Sequence, residues 1–133
     1  IAMNHGPTAA LEIMRALRQG EIVCLRADRV APGSPFTERA FLGHPAPFPL
    51  GPFQLAALRG APLVASLNHK LASNEVQLLL RRGPDISGLP REEAVAQGLD
   101  WYGSLLEQQV RLHPHQWYNF YDFWAEPPRE RIE

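Results

Sequence analysis

The sequence predicts an α/β fold in which a partial mixed sheet is flanked by helices. Apolar residues recur at helical spacing over Thr8–Gln19, which indicates a helix with Thr8 as its N-cap. Gly20 follows where a helix is expected to stop, and the nearly continuous apolar stretch Glu21–Ala27 indicates a buried strand. A helix, a glycine turn and a buried strand in this order are typical of an α/β layer with a partly parallel sheet.

The rest of the chain continues the alternation of helices and strands. Residues 32–62 are rich in proline and are predicted to be mostly loop, because proline removes amide donors and restricts the residue before it. The later predicted elements are a short edge strand at Phe36–Leu42, a helix at Pro52–Arg59, strands at Pro62–Leu67 and Asn74–Arg82 that pair as a hairpin, and a long helix at Arg91–Leu112. Gly98 and Gly103 are expected to weaken this last helix, and Pro114 to end it.

Composition narrows the class of protein. The chain has 133 residues, 45% hydrophobic and 20% charged, which predicts one globular domain over residues 1–133. A net charge of −1 argues against a nucleic-acid partner, and the single Cys24 excludes an internal disulfide framework. No apolar run approaches the roughly 20 residues that span a bilayer. The expected location is the cytoplasm, with the inner face of the membrane as the alternative.

Two charged residues form the first candidate site. Asp28 and Arg29 follow directly after the predicted strand Glu21–Ala27, and open α/β sheets place their ligand sites at such strand ends. Asp28 can orient a base or hold an acceptor group, and the planar fork of Arg29 suits phosphate or carboxylate. The competing interpretation is a surface ion pair that caps the strand.

Three further features bear on a site. Gly51 opens a predicted helix, where unpaired amides suit an anion, although this is equally an ordinary loop-to-helix junction. His44 either faces the site from its loop or is exposed and inactive.

The histidines lack Cys or carboxylate neighbours at ligand spacing, so neither a metal nor another cofactor is predicted. Cys24 is interpreted as a buried apolar filler, and the absence of a Gly-x-Ser-x-Gly elbow disfavours a hydrolase of that type.

The segment QWYNFYDFW near the end of the chain concentrates aromatic residues. Trp117, Phe120, Tyr121 and Trp124 lie three or four residues apart, which indicates a helical face. Large aromatic side chains after a helix usually fold back and bury, so packing is favoured over a catalytic role. Contact with a membrane interface is the secondary interpretation, since Trp and Tyr favour that zone.

In their order, three blocks of this sequence resemble the C-terminal half of the lysophospholipid acyltransferase superfamily. They are GEIVCLRADR, FLGHPAPFPLGPFQLAALRGAPLVAS and, at the end of a long helix, HPHQWYNFYDFW, and the resemblance extends from Gly20 to Trp124, nearly the whole chain. The branch concerned is that of the predicted acyltransferases similar to late lipid A acyltransferases. The resemblance implies the C-terminal half of an acyltransferase-type α/β fold. It also implies transfer of an acyl chain from acyl carrier protein or acyl-coenzyme A to a hydroxyl of a lipid-like acceptor.

The resemblance implies substrate-binding roles for residues of this chain, but it implies no catalytic role for any of them. It implies that Asp28 and Arg29 lie where the family binds its acceptor and that Gly51 opens a helix beside the site. His44, a candidate from its loop position, completes the predicted substrate-binding residues. The family's chemistry rests on a His-x4-Asp pair in which the histidine is the general base. The residues five positions after His5, His44, His69, His113 and His115 are Ala10, Pro49, Asn74, Tyr118 and Phe120. The expectation is therefore a C-terminal fragment that is inactive alone.

Two expectations about partners follow from this interpretation. The alternative to a fragment of an enzyme is a non-catalytic module that binds a lipid or an acyl carrier protein with the same cleft. A truncated sheet exposes an edge and an apolar face, so self-association is also expected. Peripheral contact with a membrane through the aromatic segment completes the predicted set.

Overall fold

The computed structural model describes residues 7–127, which form a mixed α/β arrangement. The elements are α1 (Pro7–Arg18), β1 (Phe36–Phe41), β2 (His44–Pro49), α2 (Gly51–Arg59), β3 (Val64–Ala72), β4 (Glu75–Arg82), α3 (Arg91–Leu112) and a short 3-10 helix at Pro114–Gln116. The three predicted helices are confirmed, although Thr8, predicted as the N-cap of the first, lies inside α1. The pairing of β3 with β4 is confirmed, but β3 continues to Ala72, five residues beyond the predicted end at Leu67. The partly parallel sheet is wrong: within residues 7–127, β1 pairs with β2 and β3 with β4, both antiparallel, as two separate sheets.

The segment predicted as a buried strand, Glu21–Ala27, takes part in no ladder within the described chain. Ile22 is 94% exposed and Cys24 is an exposed free thiol, so the interpretation of Cys24 as a buried filler was also wrong. Only Ala27 packs against the core from this segment's C-terminal end. Strand propensity needs a neighbouring backbone to become a strand, and no strand of residues 7–127 pairs with this one.

Strand β2 forms in the segment predicted to be mostly loop, although it contains Pro45, Pro47 and Pro49. Leu42 and Gly43 join β1 to β2 with positive φ angles of 52° and 89°, as in a two-residue type I′ turn. In such a hairpin Phe41 and His44 form the first hydrogen-bonded pair, so the alternate positions held by the prolines turn their nitrogens away from β1. The prolines therefore cost the ladder no donor, and they leave the outer edge of β2 without N–H groups at those positions.

The core lies where the β1–β2 hairpin meets α2 and α3. Phe41, Phe48 and Phe53 are its largest fully buried side chains. Helix α3 contributes Leu99, Leu106 and Val110, and the C-terminal segment contributes Phe123. Because Phe41 and Phe48 come from the hairpin and Phe53 from α2, the core fixes the segment FLGHPAPFPLGPF against the long helix.

The β3–β4 hairpin buries only one of its faces. Ala65 and His69 are buried on the inner side, whereas Val64, Val76, Leu78 and Leu80 are 55–64% exposed. The register pairs Ser66 with Leu80 and Asn68 with Leu78, which places the exposed leucines on the face opposite Ala65 and His69. Residues 7–127 contain no helix that is both long and apolar enough to cross a membrane.

Gly98 lies inside α3, and the helix continues through it. A glycine suits this position because there is no room for a side chain. A Cβ at this site would lie 2.9 Å from Leu63 Cδ1 and 3.1 Å from Phe53 Cδ1, and Phe53 is only 2% exposed. Gly98→Ala is therefore expected to lower the free energy of unfolding by about 1–2 kcal/mol, since the cost of overpacking exceeds the roughly 1 kcal/mol by which alanine favours a helix over glycine.

Urea denaturation measures this effect, and Gly51→Ala is the matched control. A Cβ at Gly51 meets nothing within 4 Å and its φ is not positive, so that substitution is expected to be neutral or slightly stabilising. A Gly98→Ala protein as stable as the original chain would show that α3 does not approach Leu63 and Phe53 in this way.

Candidate functional site

The Asp28–Arg29 pair lies against the aromatic segment from the other end of the chain. The guanidinium carbon of Arg29 is 4.8 Å from the centre of the Tyr121 ring, a cation–π contact. The Tyr121 hydroxyl donates a long hydrogen bond of 3.4 Å to the backbone carbonyl of Asp28. Tyr121 thus touches both residues of the pair, although it follows Asp28 by 93 positions.

The aromatic segment is held in place by contacts on both sides of Tyr121. On one side, the amide side chain of Gln116 accepts from the Lys70 N–H at 2.7 Å and donates to the Lys70 carbonyl at 3.0 Å, as a paired strand would. On the other side, Phe123 is buried and the Trp124 Nε1–H donates to the Phe41 carbonyl at 3.2 Å. Tyr121 is therefore carried between two anchored positions.

The helical face predicted for this segment was wrong. Residues 117–120 have no regular structure, and Phe120 is 90% exposed. The residues that pack are Trp117, whose ring centre is 5.4 Å from that of Phe41, and Phe123, at 5.1 Å from Phe41. Helix α3 stops at Leu112 before Pro114, so no helical spacing survives to align the rings.

A small cavity opens where the Asp28 loop, β2 and the aromatic segment meet. Its volume is about 270 Å³. Its lining comprises Asp28, Val30, Pro47, Tyr121, Asp122, Phe123, Ala125, Glu126 and Pro127. This size is just below the range usual for sites that enclose a whole small molecule, so the cavity suits one group of a larger ligand. The apolar wall from β2 and Phe123 faces polar groups from the loop.

The charge of Asp28 also reaches helix α3. Burial raises the pKa of the Tyr102 phenol, and the nearby negative charge of Asp28 raises this pKa further. Tyr102 packs against Phe53, with ring centres 6.0 Å apart. The phenol therefore stays protonated at all ordinary pH values, and Asp28 lies within electrostatic range of the core.

His44 and Gly51 lie at opposite ends of β2. His44 is exposed at the first position of the strand, where its ring centre is 6.5 Å from that of Trp124. Gly51 is the first residue of α2, just past the other end of the strand. The rise of roughly 3.3 Å per residue separates the two ends of β2 by about 17 Å. The structure thus brings Asp28 and Arg29 together with Tyr121, but it does not gather all four predicted residues into one cluster.

The start of α2 offers an anion fewer amides than the sequence suggested. Leu50 occupies the N-cap with helical backbone angles, and no side chain caps the helix. Pro52 in the first turn removes one of the amides that an anion would use. The other N–H groups of the first turn of α2 remain without partners inside the helix, so the helix start keeps some donors for an anion but fewer than four.

A larger groove of about 610 Å³ runs between β1, the start of α2 and α3, and sequence reasoning missed it. Arg39 lines it, and its guanidinium donates to Ser104 Oγ at 2.7 Å and to the carboxylate and carbonyl oxygens of Asp100 at 3.3 and 3.2 Å. A Cβ on Gly103 would lie 2.6 Å from this guanidinium. These contacts hold β1 against α3, so Arg39 has a structural role. In the sequence, the glycine at position 103 in the middle of a helix was the one indication that another side chain packs closely there.

No protein-family model matches the chain, and no match is found among curated proteins or solved structures. What bears on function is therefore the geometry around Asp28. The loop after residue 27, the β1–β2 hairpin and the aromatic segment are distant in sequence, and they meet at one small cavity beside Arg29.

Proposed function

We propose that this chain is the C-terminal part of an acyltransferase that moves an acyl chain from acyl carrier protein or acyl-coenzyme A to a hydroxyl of a lipid-like acceptor. The proposal starts from the resemblance of its ordered sequence blocks to that superfamily. The observation that carries it is the convergence of all three blocks at the cavity lined by Asp28, Pro47 and Tyr121.

Arg29 binds an anionic group of the acceptor in this proposal. Its guanidinium carbon lies over the Tyr121 ring, 4.8 Å from the ring centre, which holds the side chain beside the cavity. The N–H groups of a guanidinium form a planar fork that suits a phosphate or carboxylate, and this fork is the binding element in the proposal. Asp28 holds a hydroxyl or another donor of the same acceptor at the cavity.

The general base lies outside this chain in the proposal. The five histidines are each followed at the fifth position by a residue other than aspartate, so none forms the His-x4-Asp pair. His44 is exposed beside Trp124, and no carboxylate of residues 7–127 is hydrogen-bonded to it. The chain accordingly supplies acceptor binding and structural support rather than the proton transfer.

The second candidate is a non-catalytic module that holds a lipid or an acyl carrier protein. The observation that favours it is the exposed apolar surface on the β3–β4 hairpin, where Leu78 and Leu80 are more than half exposed without a catalytic residue nearby. Such a surface suits an apolar partner or a second copy of the chain. A location at the inner face of the membrane accords with either candidate.

The isolated 133-residue chain is expected to give no acylated product when mixed with acyl carrier protein or coenzyme A thioesters and lysophospholipid acceptors. The reason is the missing base, and mass spectrometry of the acceptor measures the outcome. The matched comparison is the product of the complete reading frame, which is expected to carry an upstream His-x4-Asp and to transfer the acyl group.

Two outcomes would contradict the enzyme proposal. Transfer by the isolated chain would show that a base lies within it. A complete reading frame without His-x4-Asp would eliminate the catalytic version, and retained binding of the same ligands without turnover would then support the binding module.

A further inference from the structure

Two histidines meet between β3 and the end of α3, away from the Asp28 cavity. The ring centres of His69 and His113 are 4.3 Å apart, with 40° between the ring planes. His69 is only 6% exposed, and neither its Nδ1 nor its Nε2 has a hydrogen-bond partner within the described chain. Buried polar atoms in folded proteins are nearly always paired, so an imidazole with two unpaired nitrogens calls for an explanation.

The surroundings hold this pair in place. His113 ends α3, where its backbone N–H donates to the Gln109 carbonyl at 2.9 Å. Next to His69, the backbone of Lys70 is clamped on both its N–H and its carbonyl by the Gln116 side chain. The two imidazoles therefore belong to elements that are tied together within three residues of His113, which fixes their separation.

We infer that His69 and His113 form a binding site for a divalent transition-metal ion, independently of the proposed acyl transfer. Neutral imidazole is a ligand that zinc, copper and nickel share. With metal–nitrogen distances of about 2.0–2.1 Å, two imidazoles on one ion place their ring centres roughly 4.5–5.2 Å apart. The observed 4.3 Å is only slightly shorter, so the rings need to separate by less than about 1 Å to admit the ion.

The chemistry of the site follows from its two ligands. Residues 7–127 contain no group of three or more His, Cys, Asp or Glu side chains that could hold a metal, so the two imidazoles are the side-chain ligands that this part of the chain would supply. His113 is half-buried and forms the solvent side through which the ion enters. Sequence reasoning dismissed this site because it judged ligands by spacing along the chain, and His69 lies far from His113 in sequence.

Titration calorimetry of the untagged chain with Zn²⁺ and Cu²⁺ tests the inference. His69→Leu and His113→Ala are each expected to weaken binding by at least about tenfold, because each removes one of two ligands. The control is His115→Ala, an exposed histidine two positions from His113, which is expected to leave the affinity within about twofold of the original value. Copper is expected to bind more tightly than zinc.

Thermal unfolding separates a lost ligand from a lost fold. Without metal, His69→Leu is expected to unfold at the same temperature as the original chain or higher, because an apolar side chain replaces two unpaired nitrogens. Zinc is expected to raise the unfolding temperature of the original chain and of His115→Ala, but not that of His113→Ala.

Two results would overturn the inference. One is the absence of both calorimetric binding and a zinc-dependent thermal shift, which would leave the pair as a packed or water-bridged contact. The other is binding that His113→Ala and His115→Ala abolish equally while His69→Leu leaves it intact, which would place the ion on the exposed His-Pro-His sequence alone.

Discussion

Phe123→Ala is expected to lower the free energy of unfolding by about 3–5 kcal/mol, the usual cost of truncating a buried phenylalanine. The side chain is 2% exposed and its ring lies 5.0 Å from Trp117, 5.1 Å from Phe41 and 5.7 Å from Phe48, between ring centres. Phe41 and Phe48 are held by the β1–β2 hairpin, so they cannot collapse into the space. Chemical denaturation of the two proteins measures the loss.

Phe120→Ala is the matched control, because the same residue type lies three positions earlier and is 90% exposed. Its removal is expected to change stability by less than about 0.5 kcal/mol. The pair of substitutions separates the two interpretations of the aromatic segment, since a core function depends on Phe123 and an interfacial function on Phe120. Equal effects of both substitutions would contradict the packing described for Phe123.

Sequence patterns correctly predicted the elements whose ends are set by residues next to them in the sequence. Helix α3 was predicted with the observed ends because its periodicity runs between Pro90 and Pro114, and proline fixes such limits locally. The β3–β4 hairpin was predicted because two apolar runs flank a short polar connection. In both cases the decisive residues are neighbours in sequence.

The errors concern elements whose state depends on how the segment pairs with another strand. Residues 21–27 have the composition of a buried strand, but a strand needs a ladder, and composition cannot supply one. Strand β2 contains Pro45, Pro47 and Pro49, and it forms because all three nitrogens turn to its outer edge. The alternation of the prolines was visible in the sequence. The turn at Leu42 and Gly43 was not recognised, and this turn determines that the proline nitrogens point away from β1.

The candidate site was predictable only in part for the same reason. Asp28 and Arg29 stood out by their position after an apolar run. Tyr121 could not be assigned to them, because its position depends on the contact of Gln116 with Lys70 and on the burial of Phe123. A helical interpretation of residues 117–124 places Tyr121 one turn from Trp117, whereas the irregular backbone of the structure places it against Arg29.

Under the proposed function, Arg29→Ala in the protein encoded by the complete reading frame is expected to lower kcat/KM for the acceptor by about ten- to a hundredfold. This range corresponds to the roughly 1.5–3 kcal/mol of a hydrogen bond to a charged group. Because Arg29 is exposed, the unfolding free energy is expected to change by no more than about 0.5 kcal/mol. Steady-state kinetics with varied acceptor, together with denaturation, measure both quantities.

Arg26→Ala is the matched control, since it removes an exposed arginine three positions earlier that makes no contact with Tyr121, and it is expected to leave the kinetics unchanged. Arg29→Lys keeps the charge but loses the planar fork and its contact with the ring, so an intermediate loss is expected. A rise in KM for the acceptor at constant kcat would place Arg29 in ground-state binding, whereas an equal fall in kcat and kcat/KM would place its contact in the transition state. Identical kinetics for Arg29→Ala and Arg26→Ala would remove Arg29 from the acceptor site and would leave its stacking on Tyr121 as a structural contact alone.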